Sequence, residues 1–121
     1  MKYAEPYLLV ALRALDRLEE HIPETEKALF DQRVVQDAIL LQILQIDENL
    51  SQLRTRFSKG FERAPKSWDE IIGLRNIIAH GYESIKIPEI WKFLMADLDA
   101  LRDSLSAALA EGWFETAEED D

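Results

Sequence analysis

Apolar side chains return every three or four positions along most of this chain, and that spacing admits little except amphipathic helices. Between Pro6 and Pro23 the stripe runs Leu8, Leu12, Leu15, Leu18 and Ile22. A second begins near Asp31 and runs Val35, Ile39, Ile43, Ile46, Leu50, Leu53 and Phe57, with an added row at Val34, Ala38 and Leu41. So broad an apolar face exceeds what one neighbour covers. Gly60 and Pro65 then break the pattern. Ser67 with Glu70 has the form of a capping box, which predicts a third helix from Ser67 to a left-handed stop near Gly81. Pro88 sits at a first-turn position, and Ile87, Trp91, Leu94, Leu98, Leu101, Leu105 and Ala108 mark a fourth helix. Four helices on short links predict an all-α, up-and-down antiparallel bundle over residues 1–112, with 113–121 as an acidic tail.

Charge and composition narrow the chemistry. With no cysteine, disulfides, thiolate metal sites and cysteine nucleophiles are excluded together. His21 has no second ligand at metal spacing, so neither a metal nor a cofactor is expected. The N-terminal segment mixes charges into a short apolar run, which fits neither a signal peptide nor a membrane span and makes the cytoplasm the expected location. The net charge of −10 speaks against nucleic acid only until its distribution is read. Six acids fall at Glu111, Glu115, Glu118, Glu119, Asp120 and Asp121, whereas the stretch 54–66 holds Arg54, Arg56, Lys59, Arg63 and Lys66 against the single acid Glu62. Those five bases are either a guide for a phosphate backbone or a solvated face. The tail either shields them, meets a partner or keeps the protein in solution.

The octapeptide RNIIAHGY, residues 75–82, stands out because it gathers Arg75, Asn76, His80 and Tyr82 in a chain with two histidines. On a helical wheel Ile71, Leu74, Ile77 and Ile78 mark the core side, while Arg75, Asn76 and His80 spread over the other, with small Ala79 between. These groups suit RNA cleavage without a metal. His80 can exchange protons near neutral pH, Arg75 can grip two phosphoryl oxygens, and Asn76 can orient the imidazole or the phosphate. Read from the residues alone, an ordinary solvated helix face remains equally open.

The segment SWDEIIGLRNIIAHGYESI resembles the signature of HEPN-domain proteins of the HepT-like kind, Arg-Asn-x-x-x-His-x-Tyr, with Trp68 before it and IWKFL after it. Upstream, QIDENLSQL only loosely follows the Gly-Glu-Ala segment common in relatives. The resemblance implies a homodimer whose two motifs face across a two-fold axis to form one RNA cleft. It implies a ribonuclease toxin, cutting by attack of the 2′-hydroxyl to leave a 2′,3′-cyclic phosphate. It further implies neutralisation by an MntA-like nucleotidyltransferase antitoxin that transfers AMP to the motif tyrosine, here Tyr82. Two alternatives from other classes stand beside it: a non-catalytic HEPN adaptor binding a nucleotide or a nucleotidyltransferase partner through the same cleft, and a dimeric bundle whose motif is structural.

Overall fold

The computed structural model describes residues 3–79 and 86–115, and the side chains of all of these but 75–79. The elements are α1 (Glu5–Glu19), α2 (Glu26–Asp31), α3 (Arg33–Arg56), α4 (Ser58–Phe61), α5 (Lys66–Ala79), α6 (Ile87–Lys92), a π-helical segment (Phe93–Asp97) and α7 (Leu98–Ala110). Every regular element among the described residues is a helix, as the periodicity predicts. None of these helices is long and apolar enough to cross a membrane.

Side-chain pairs fix the topology. Arg56 near the end of α3 donates to the Tyr7 hydroxyl near the start of α1 at 3.3 Å. Arg54 reaches Asp69 at the start of α5 at 3.1 Å. The Trp68 indole Nε1 donates to Ser104 Oγ on α7 at 2.8 Å, and Ser104 Oγ donates to the Leu101 carbonyl at 2.9 Å. Arg102 on α7 donates to Asp16 at 2.7 Å and lies 2.7 Å from Glu19, both on the last turns of α1. The first two pairs join the starts of α1 and α5 to the end of α3, so α3 runs antiparallel to both, and the other two tie the middle of α7 to the start of α5 and the last turns of α1. The Glu19 and Asp16 carboxylates, in that order, raise the Arg102 pKa above its ordinary value.

The core follows the predicted stripes. Leu15, Leu18, Ile39, Ile43, Ile46, Leu50, Leu53, Trp68 and Leu105 are fully buried. At one end of the bundle the Tyr7 and Phe57 rings pack tilted and the Phe57 and Phe114 rings edge to face, with centroids 6.2 and 6.5 Å apart. Phe61, Trp68 and Trp113 extend that cluster at 5.7 and 5.8 Å. Such offset aromatic pairs add about 0.5–1.5 kcal/mol each beyond the area they bury. The segment 113–121 therefore begins inside the core, since Phe114 is buried against Phe57. Helix α7 ends in a Schellman turn: Gly112 takes a φ of 63°, while Trp113 N donates to the Ala108 carbonyl and Gly112 N to Leu109.

Four local expectations shift. The first helix stops at Glu19, so Ile22 lies beyond it and packs half-buried on the core. The second predicted helix is preceded by a separate one, α2, because extended Gln32 (φ −109°, ψ 95°) breaks the chain before α3. Thr25 caps the start of α2 by accepting from Ala28 N at 3.0 Å, and the Gln36 amide closes its end by donating to the Leu29 and Phe30 carbonyls. The third helix opens one residue early, at Lys66, with Trp68 N donating to the Pro65 carbonyl. Ser67 is thus inside the first turn rather than its cap. The fourth predicted helix contains the π segment Phe93–Asp97, which absorbs the passage from α6 into α7. The stop expected at Gly81 lies outside the described residues.

Candidate functional site

Helix α5 carries the first half of the octapeptide. Its N-terminal half is fixed on three sides: Trp68 is buried and bonded to α7, Asp69 is paired to α3, and Ile71 and Ile72 are buried in the core. The last turns, residues 75–79, continue as helix from that clamped base. Arg75 and Asn76 therefore sit at backbone positions set by a rigid element, which suits groups that must hold a fixed geometry. His80 and Tyr82 lie outside the described residues.

Antiparallel packing gives these positions a level in the bundle. Starting from the Arg54–Asp69 pair, seven residues back along α3 reach Asp47 and seven forward along α5 reach position 76. Seven residues are close to two turns, so both steps stay on the same stripe of their helix. The N-terminal half of α3 and the C-terminal half of α5 thus share one end of the bundle. On that end α2 and α3 expose an apolar row, with Phe30 68%, Val34 81% and Leu41 55% accessible. The surplus face expected from Val34 and Leu41 is accordingly left uncovered by the chain's own described elements.

The five predicted bases occupy the other end. Lys66 opens α5, nine residues before Arg75, a separation of about 14 Å along the helix axis. Arg54 is engaged by Asp69 and Arg56 by the Tyr7 hydroxyl. Lys59, Arg63 and Lys66 are exposed. The helical positions 75–79 and the basic band lie at different levels of α5, and a hollow of about 510 Å³ bounded by Tyr3, Leu8, Ala108 and Phe114 lies at the band's end of the bundle.

Asp47 is the one functional-looking group that sequence reasoning did not single out. It is the fully buried charged side chain among the described residues, and Ser51 Oγ donates to its Oδ1 at 3.3 Å. Its signal was a carboxylate interrupting the apolar row between Ile43 and Leu50.

An antiparallel bundle of alternating helices, with Arg-Asn-x-x-x-His-x-Tyr beginning on the last turns of its third long helix, defines a HEPN-type domain. Residues 11–108 match the family described as Ribonuclease HepT-like, and the chain belongs to that family. It is similar to a Methanocaldococcus jannaschii protein named as a gamma-glutamylcyclotransferase and putative RNase, with 24% identity over 106 residues. The match takes in 87% of this chain, which spans about half, 47%, of that relative's length. No solved structure matches the chain.

Proposed function

We propose that this protein is a metal-independent endoribonuclease toxin of the HepT-like kind. The observation that carries the reading is the motif itself, which lies within the family-matched span and whose first five positions continue the clamped helix α5. In this reading His80 moves the proton of the ribose 2′-hydroxyl. Arg75 offers a fixed positive charge to the pentacovalent phosphorus that forms, and Asn76 orients either partner. Attack by the 2′-oxygen breaks the bond to the 5′-oxygen of the next nucleotide and leaves a 2′,3′-cyclic phosphate. Two copies, related by a two-fold axis, supply one His80 as base and its mate as acid. The naming of the archaeal relative as a putative RNase supports the same substrate class.

Regulation follows from Tyr82, two positions beyond His80. An AMP group added to its hydroxyl by an MntA-like nucleotidyltransferase places phosphate charge and a base in the cleft and repels RNA. The exposed bases Lys59, Arg63 and Lys66, with Arg54 and Arg56, guide the strand towards α5 by long-range attraction.

The deciding experiment incubates purified protein with single-stranded RNA in EDTA. Cleavage with a cyclic phosphate end is expected, and His80→Ala should lower the rate at least a hundredfold, a usual contribution for general acid–base groups, with helical circular dichroism unchanged. Full activity in that variant overturns the assignment. Co-expression with an MntA-like nucleotidyltransferase should add the mass of one AMP at Tyr82.

A further inference from the structure

Just beyond α7 stands an aromatic side chain that the core does not fully enclose. Trp113 is half-buried, yet it is held in three ways. Its backbone N–H donates to the Ala108 carbonyl at 3.1 Å, and its indole Nε1 donates to Glu111 Oε2 at 2.7 Å. Its ring lies against the fully buried Trp68, with centroids 5.8 Å and planes 35° apart. Trp68 is itself fixed to α7 through Ser104. An indole constrained in this way offers a surface whose orientation is set in advance.

Beside it opens a shallow hollow of about 550 Å³, lined by Trp113, Pro65, Arg63 and Asp103 and by the small residues Ala100 and Ala107 of α7. That volume is within the range of roughly 300–1,000 Å³ usual for small-ligand sites. A bed of alanines bordered by an indole and a proline ring accepts a flat, apolar group. Two exposed cations, Arg63 in the lining and Lys66 next to Pro65 in the chain, favour an anion joined to that group. Asp103 is the acid of the lining; it keeps phosphate on the Arg63 side and accepts hydrogen bonds from amino groups on a base edge. A flat heterocycle with phosphates on one side is a nucleotide.

We infer that this hollow is a base-stacking subsite for single-stranded RNA, in which one nucleobase lies on Trp113 and its flanking phosphates meet Arg63 and Lys66. The inference rests on the ribonuclease reading for the identity of the strand, and it adds a second place where that strand is held. Ser67, also in the lining, precedes Arg75 by eight residues, about 12 Å along α5. At ~3.4 Å per stacked nucleotide, the anchored base is about three to four nucleotides from the level of Arg75. Every base has a π-face, so the subsite raises affinity for single strands of any composition.

The test uses the full chain and 2′-O-methyl oligonucleotides, which lack the attacking hydroxyl and report binding without cleavage. Titration should quench tryptophan fluorescence. Trp113→Leu should remove that quench and weaken binding at least about tenfold, as expected for one lost base stack. Ala100→Phe, at an exposed helix position, fills the hollow and should weaken binding as much while helical circular dichroism is unchanged. It decides the matter should Trp113→Leu fail to fold. Arg63→Gln should keep the quench and flatten the dependence of log affinity on log salt by about 0.7, the value of one phosphate contact on a single strand. Unchanged affinity in either folded hollow variant overturns the subsite, and so does a wild type that binds no oligonucleotide. A wild type that binds with the quench but cuts no RNA keeps the subsite and loses the ribonuclease reading. One that cuts RNA through His80 while both hollow variants bind normally loses only the subsite.

Discussion

Gly60 and Gly73 look alike in the sequence and differ in what surrounds them. A side chain at Gly60 would overlap the ring of Phe114, which closes the aromatic end of the bundle, whereas a methyl at Gly73 on α5 meets nothing within 4 Å. Gly60→Ala should therefore destabilise by about 1–3 kcal/mol as the overpacked ring is displaced. Gly73→Ala should stabilise by about 0.5–1 kcal/mol, the usual helix-interior gain. Urea melts of the two variants check this, and a common sign would refute the packing described for Phe114. Neither environment was readable beforehand, since Phe114 is 54 positions from Gly60 in a segment whose charge suggested a tail. Asp47 escaped for a related reason: one acid in a row of isoleucine and leucine carries meaning only once burial is known.

At the scale of elements, the apolar stripes predict the long helices and their buried positions. Burial of an apolar face every 3.6 residues is a local property of the chain. The short α2 was missed because six residues, EKALFD, are fewer than two turns and give no period. Its existence depends on end contacts, with Thr25 at one side and Gln36 from the next helix at the other. Thr25→Ala should loosen α2 by about 1 kcal/mol. Hydrogen exchange should show faster amides at 28–31 while those of α3 keep their protection. Uniform acceleration across both helices would mean that α2 opens only with the whole molecule. The π segment was equally hidden, because its apolar spacing satisfies an α-helical reading.

Across the whole molecule, the two ends of the bundle differ in character. One end holds the aromatic cluster and the basic band, and the other holds the start of the motif and an uncovered row at Phe30, Val34 and Leu41. Exposed apolar rows of this kind mark association surfaces more often than chance. In the proposed dimer this row is the contact surface; on α3 Leu41 lies seven and Val34 fourteen residues, about 10 and 21 Å, from the level of Arg75. Val34→Glu with Leu41→Glu should change the stability of one subunit by no more than about 0.5 kcal/mol per site. The same pair should shift sedimentation from dimer to monomer and abolish RNA cleavage. A dimer that persists in the variant would move the interface elsewhere.

What the sequence determined by itself is periodic or contiguous: helical class, the core stripes, and the motif that places the chain in its family. These are legible because neighbours along the chain are also neighbours on a helix face. Tertiary structure alone decided which ends meet, that Arg54 pairs with Asp69, that Phe114 belongs to the core and that Asp47 is buried at the level of position 76. Those facts join residues many turns apart, and only the packing of antiparallel helices brings them to one level.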